Sequence, residues 1–138
     1  MSALTNDQIE ELISQSLEAR NFSYSPYSKF RVGAALRTVD GKIFQGCNVE
    51  NASYGGAICA ERTAFVKAVS GGHLRFVAIA VSSDLNNYIT PCGICRQFMN
   101  EFGKNLEIFF VNDDRTYKRA VLADLLPYAF GPEDMPSK

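Results

Sequence analysis

Arg75-Phe76-Val77-Ala78-Ile79-Ala80-Val81-Ser82-Ser83 is a short, nearly unbroken apolar run in a chain of mixed character. A strand with one wet face alternates apolar and polar residues, whereas a run like this fits a strand buried on both faces. Such a strand needs cover on either side, and its flanks supply it. Upstream, Cys59 to Ser70 reads as a helix ended by Gly71-Gly72. Downstream, Asp84 to Pro91 reads as a loop, followed by a helix from Cys92 to Phe102 with Gly103 as its stop. Leu106 to Asn112 (LEIFFVN) is a second buried-strand candidate.

Further out, Ile9, Leu12, Ile13 and Leu17 recur at helical spacing between Thr5 and Arg20, and Thr5 with Gln8 makes a capping box. Asn21 to Lys29, rich in Ser, Tyr and Pro, reads as a loop. Phe30 to Val39 and Lys42 to Asn48 flank Asp40-Gly41, which predicts a hairpin closed by a tight primed turn. Val49 to Ile58, with Gly55-Gly56 inside it, reads as irregular. A turn at Asp113-Asp114, a short strand over Thr116 to Arg119 and a helix over Val121 to Leu126 complete the body. The order α-β-β-α-β-α-β-β-α predicts an α/β protein whose sheet carries helices on both faces. With no repeat or linker, residues 1–138 are expected to form one domain.

Composition narrows the function classes. Hydrophobic residues make up 46% and charged residues 21%, a globular balance. The net charge is −1 and no basic stripe is visible, which argues against a polymeric nucleic acid as partner. Met1 to Gln15 has neither a basic nor an apolar segment of the kind that opens a secretory signal, and no run is long enough to span a membrane. The expectation is a cytoplasmic protein, with a nuclear location also compatible. Four cysteines in that setting point to metal or catalysis before disulfides.

The cysteine spacing is the strongest chemical signal. In Pro91-Cys92-Gly93-Ile94-Cys95, two sulfurs three residues apart on a first helical turn can reach one ion. The helix N-terminus favours the thiolate form that a metal needs. Alone, this pair also fits a redox couple or half of a structural zinc site. Cys59 opens the other central helix and can bring a third sulfur to the same ion. Three ligands leave a tetrahedral zinc with one open position, as in catalytic sites. A structural site needs a fourth ligand, Cys47 or the lone His73. His73 lies beyond the far end of the Cys59 helix, on the order of 18 Å away along its axis. Cys47, ending a hairpin strand, is harder to exclude.

Glu61, two residues after Cys59, can face a zinc-activated water without ligating the metal. A carboxylate there can take a proton from that water and return it to substrate. The plain alternative is a solvated acid in a first helical turn. Three thiolates leave zinc with net charge −1, so hydrogen bonds to the sulfurs would help. Arg62 is the favoured donor, and Arg96, beside Cys95, stays open.

Cys59-Ala60-Glu61 followed by Pro91-Cys92-Gly93-Ile94-Cys95 resembles the zinc deaminase signature, a class whose glutamate role is well characterised in general. More narrowly, the chain resembles the small homotetrameric cytidine deaminases. The matching stretches are Tyr24 to Ser28, Phe30 to Leu36, Gly46 to Tyr54, Cys59 to Ala64, Pro91 to Gln97 and Leu125 to Asp134. The resemblance implies a three-layer α/β/α fold with a five-stranded mixed sheet and one Zn²⁺ per subunit. It implies hydrolytic deamination of cytidine and deoxycytidine to uridine and deoxyuridine with release of ammonia, in pyrimidine salvage. Metal ligands would be Cys59, Cys92 and Cys95, with Glu61 as proton shuttle. Asn48 and Glu50 would hold a sugar hydroxyl, Phe30 would contact the nucleoside, and the Ala60 backbone would read the pyrimidine edge. Phe130 would reach into a neighbouring subunit's site.

Part of this has its own physical support. Asn48 and Glu50, two apart in an extended segment, would point to one side, and the carboxylate would repel a phosphate on the same hydroxyl. Both side chains can instead satisfy loop backbone groups. The rivals are a deaminase of another aminopyrimidine, a binding module with a four-cysteine structural zinc, and, last, a nucleic-acid editor. Gly55-Gly56 makes the loop between the sugar and metal segments a place of variable shape, and the tail after Asp134 is expected to be disordered.

Overall fold

The computed structural model describes residues 2–136. Its elements are α1 (Asn6–Ala19), β1 (Val32–Thr38), β2 (Ile43–Cys47), α2 (Ala60–Ser70), β3 (Phe76–Ser83), α3 (Gly93–Asn100), β4 (Glu107–Val111), β5 (Tyr117–Val121) and α4 (Leu122–Leu125). Single 3-10 turns cover Arg20–Phe22, Tyr54–Gly56 and Pro132–Asp134. The expected order of elements holds, and most boundaries shift by one to three residues. The C-terminal tail expectation extends to Ser137 and Lys138, which lie outside the described residues.

The five strands form one sheet in the order β2-β1-β3-β4-β5. Only β3 and β4 pair in parallel, Ala78 with Glu107 through Ser82 with Val111, because α3 carries the chain back between them. The other pairs are antiparallel, so the sheet is mixed. β3 sits at its centre, and the stretch from Ala78 to Ser83 is buried throughout.

Helices cover both faces. On one, Ile9, Leu12 and Ile13 of α1 pack with Ala35, Ala78, Ala80 and Phe109. The capping box at the start of α1 is complete: Gln8 N donates to Thr5 Oγ1 and Thr5 N to Gln8 Oε1. On the other face, α2 and α3 cover Leu36, Ile79, Ile108 and Phe110. Phe65 of α2 stacks on Phe102 at 5.6 Å and meets Phe76 and Phe98 edge-on at 4.8 and 6.3 Å. That aromatic cluster fastens α2 to α3 and to the sheet. It fixes how the two helix starts face each other.

Gly46 lets α2 lie this close. A Cβ on Gly46 would stand 2.4 Å from Ala64 N and 2.5 Å from Ala60 O, inside the helix backbone. No other residue type fits there without moving the helix that carries Cys59 and Glu61.

The hairpin turn differs from the expected primed form. Positive φ falls on Gly41 (91°) and not on Asp40. Thr38 N donates to Lys42 O and Gly41 N to Thr38 O, giving a wider turn with glycine in the left-handed position. Thr38 Oγ1 donates to the Asp40 carboxylate within the same turn. The last helical turns are also shorter than the pattern suggests: α3 ends at Asn100, and Gly103 (φ 129°) turns the chain toward β4.

Candidate metal centre and active site

Both ligand-bearing helices begin on a cysteine. Cys59 is the N-cap residue of α2 and Cys92 that of α3, each in extended conformation and neither capping its helix with a hydrogen bond. Their sulfurs are thus left for another partner, at helix ends whose dipoles favour negative charge. Cys95 stands one turn into α3 and is buried. The three Sγ atoms lie within 4.8 Å of one another, and Cys59 and Cys92 are 3.9 Å apart. Four-coordinate zinc with Zn–S bonds near 2.3 Å separates its sulfurs by about 3.8 Å. Three soft thiolate donors at this spacing suit zinc. The residues fit the metal.

Neither alternative fourth ligand reaches the cluster. Cys47 Sγ donates to Phe22 O at 3.2 Å, in a separate cavity with Thr63 and Lys67, and burial raises its thiol pKa. His73 lies at the other end of α2, 3.9 Å from Asp40 and against the Phe44 ring. Among the described residues the metal-ligating group consists of Cys59, Cys92 and Cys95.

Arg62 stands where its charge faces the thiolate cluster. One turn below Cys59, its Nη2 stands 3.6 Å from the Cys59 sulfur. Hydrogen bonds from Cys95 and from Arg62 hold the Cys59 thiol well below its ordinary pKa, while the shared proton and burial push Cys95 up. Arg96 does not share this role. Its guanidinium reaches oxygens only: Pro91 O at 2.7 Å, Leu125 O at 2.9 Å and Thr90 Oγ1 at 3.0 Å.

Beside the sulfurs lies a cavity of about 220 Å³, over the carboxyl ends of β3 and β4. Open α/β sheets bind ligands at that edge. Glu61, Ala60, Asn48, Val81 and Thr90 line it together with Cys59 and Cys92. Glu61 is 5% exposed, so its carboxyl group is not the solvated surface acid of the plain alternative. Burial pushes its pKa up to about 7, and the negative Cys59 adds to the rise. A carboxyl group poised there can both accept and give up a proton near neutral pH.

The sugar-side residues part company. Asn48 lines the cavity, its Oδ1 accepting from Val32 N at 2.9 Å and from Ser23 Oγ, and its Nδ2 donating to Phe30 O at 2.8 Å. Glu50 faces a neighbouring hollow with Tyr27 and Tyr54, accepting from Tyr27 N at 3.0 Å, Ser28 N at 3.1 Å and Ser28 Oγ. Both therefore brace the segment from Tyr27 to Val32, and they do not share one cavity wall. Phe30 is half-buried and is not among the cavity-lining residues, while Phe130 is 57% exposed with its carbonyl held by Gln97 at 2.8 Å and Asn100 at 3.3 Å.

Sequence reasoning overlooked the far rim. Asn87, Ile89 and Thr90 of the β3–α3 loop line the cavity. Asp84, at the start of that loop, takes a two-pronged hydrogen bond from Arg31. Nothing local marks these residues, because Arg31 and Asp84 meet only when β1 and β3 pair.

Comparison with known proteins agrees with this geometry. Residues 6–111 match the family described as "Cytidine and deoxycytidylate deaminase zinc-binding region". The chain is 48% identical over 136 residues to the "Probable cytidine deaminase" of Dictyostelium discoideum, covering 98% of this chain and 92% of that protein. It is 47% identical over 128 residues to the "Cytidine deaminase" of Sporosarcina psychrophila, covering 92% and 94%. The crystal structure of cytidine deaminase from Burkholderia pseudomallei superimposes with a TM-score of 0.86 at 48% identity, covering 92% of this chain and 100% of that one. With the sulfurs, the buried glutamate and the sheet edge in place, the chain belongs to the zinc-binding family of cytidine and deoxycytidylate deaminases.

Proposed function

We propose that this protein is a hydrolase that deaminates cytidine and deoxycytidine to uridine and deoxyuridine with release of ammonia, serving pyrimidine salvage. The observation that carries this reading is the placement of the buried Glu61 carboxyl group in one cavity with the Cys59 and Cys92 sulfurs. Relatives named cytidine deaminase at 47–48% identity support the choice of substrate.

Cys59, Cys92 and Cys95 would hold zinc, which would supply the Lewis acidity that lets water lose a proton near neutral pH. Glu61 accepts that proton on its carboxylate. As the water oxygen bonds to C4, Glu61 delivers the proton to N3, completing addition across the C4=N3 bond. The hydroxyl proton then moves through Glu61 to the C4 amino group, the C4–N bond breaks with its electron pair on nitrogen, and ammonia leaves. Arg62 draws density from the Cys59 sulfur throughout. The Ala60 backbone meets the pyrimidine edge, since Ala60 lines the same cavity. Asn48 bonds a sugar hydroxyl with the N–H of Nδ2 that Phe30 O does not take.

A cavity of 220 Å³ is smaller than the roughly 300–1,000 Å³ typical of sites for drug-sized ligands. It admits a pyrimidine ring and leaves the sugar near the rim. A homotetramer closes the rim: Phe130 (57% exposed) and Tyr54 (77%) stand outward, as an interface between copies would require. In that assembly Phe130 enters a neighbour's site, while Glu50 holds the sugar hydroxyl and Phe30 contacts the nucleoside in their own subunit's site. The free thiols suit the reducing cytoplasm.

Zinc analysis and cytidine turnover on wild type and Glu61→Gln test the reading. The variant keeps stoichiometric zinc and loses turnover by about a thousandfold or more. Turnover near the wild-type rate would remove Glu61 from the reaction, and no turnover by the zinc-loaded wild type would remove the substrate.

A further inference from the structure

The loop from Leu85 to Pro91 supplies one wall of the cavity and leads directly into a metal ligand, yet little holds it. Among the described residues, no backbone–backbone hydrogen bond involves any residue from 85 to 91. Its first residue is tied by Leu85 N donating to Ser83 Oγ at 3.2 Å. Its last two are tied by one side chain. Arg96 donates from Nε to Pro91 O, from Nη2 to Thr90 Oγ1, and from Nη1 to Leu125 O at the end of α4.

The geometry has a mechanical meaning. Arg96 rises from the first turn of α3, whose Cys95, Met99 and Asn100 are anchored in the interior. A guanidinium is planar and stiff, so three acceptors bound to it are held in fixed relation to one another. The Pro91 carbonyl belongs to the peptide that joins Cys92, and the proline ring fixes the φ angle just before it. Locating that carbonyl therefore locates the Cys92 backbone and the start of its side chain. Cys92 itself is exposed and has no capping bond to steady it. Thr90, turned by the same guanidinium, is left with its hydroxyl proton available at the cavity wall.

We propose that Arg96 is the positioning residue that sets Cys92 and the Thr90 wall of the cavity, by clamping the loop before α3 to the end of α4. It touches neither sulfur nor substrate and acts through Pro91 and Thr90. The proposal rests on the zinc site and, for its second readout, on the cytidine reading above.

The test uses intact zinc-loaded protein. Arg96→Ala, checked as folded by circular dichroism, releases zinc to a chromophoric chelator about tenfold faster than wild type. Its KM for cytidine rises about tenfold while kcat falls by less than about threefold. Millimolar ethylguanidinium slows zinc release from Arg96→Ala and leaves wild type unaffected, which general loosening of the fold does not predict. Arg96→Lys, with a single point donor, falls between the two. Zinc release and KM at wild-type values in folded Arg96→Ala overturn the proposal. If Arg96→Ala does not fold, Thr90→Val, which removes the Nη2 contact together with the Thr90 hydroxyl at the cavity wall, raises KM about threefold, and a wild-type KM there overturns it. Faster zinc release from Arg96→Ala, with no cytidine turnover by any form, upholds the clamp and rejects only the substrate.

Discussion

Arg62 Nη2 stands 3.6 Å from the sulfur of Cys59, one helical turn away on α2, so the residue that opens the helix is answered by a cation from the same helix. The pairing offsets part of the negative charge that three thiolates bring to zinc. Removing it leaves the sulfurs more electron-rich and the metal a weaker acid. Arg62→Ala is expected to lower kcat by about ten- to a hundredfold with zinc still bound. Parallel zinc analysis and steady-state kinetics check this, and an unchanged kcat would refute it.

Cys47 is the remaining cysteine, and its sulfur bonds Phe22 O in a cavity of its own. Cys47→Ala is expected to keep one zinc per chain and full turnover. Loss of metal in that variant would revive the four-cysteine structural site.

Gly46 is where α2 meets the sheet most closely. Gly46→Ala forces a methyl group against Ala60 O and Ala64 N, which must push α2 off β2. Overpacking of this kind costs about 2 kcal/mol or more. Thermal denaturation of the variant against wild type measures the loss, with turnover falling alongside because α2 carries Cys59 and Glu61.

Asp84 takes hydrogen bonds from the Arg31 side chain and backbone, and these, with the Arg31 charge, hold its carboxyl below the usual carboxylate pKa. A depressed folded-state pKa stabilises the fold above the unfolded value of about 3.9, and that stability fades as pH falls through the lower folded value. Wild type should therefore exceed Asp84→Asn in urea midpoint at pH 7, and the gap should close toward pH 3. A gap that is constant with pH would show that charge at Asp84 does not matter.

What the sequence determined by itself is local. The helix starts at Thr5, Cys59 and Cys92, the hairpin between β1 and β2 and the buried character of β3 were all legible, because caps, turns and periodicity depend on neighbours in the chain. The C-x-x-C spacing placed Cys92 and Cys95 on one helical face, and the position of Cys59 at the start of the other central helix marked it as a third sulfur. The tertiary structure decided the rest. It chose Arg62 over Arg96 as the thiolate partner, and turned Arg96 onto Thr90, Pro91 and Leu125. It sent Asn48 and Glu50 into different hollows although they are two residues apart, because Asn48 is claimed by Phe30 and Val32 and Glu50 by Tyr27 and Ser28. Those choices follow from which strands pair and how closely two helices lie on them. Residues well separated in the chain, such as Asn48 and Val32 or Arg96 and Leu125, then meet as hydrogen-bond partners, and no local pattern records which of them pair.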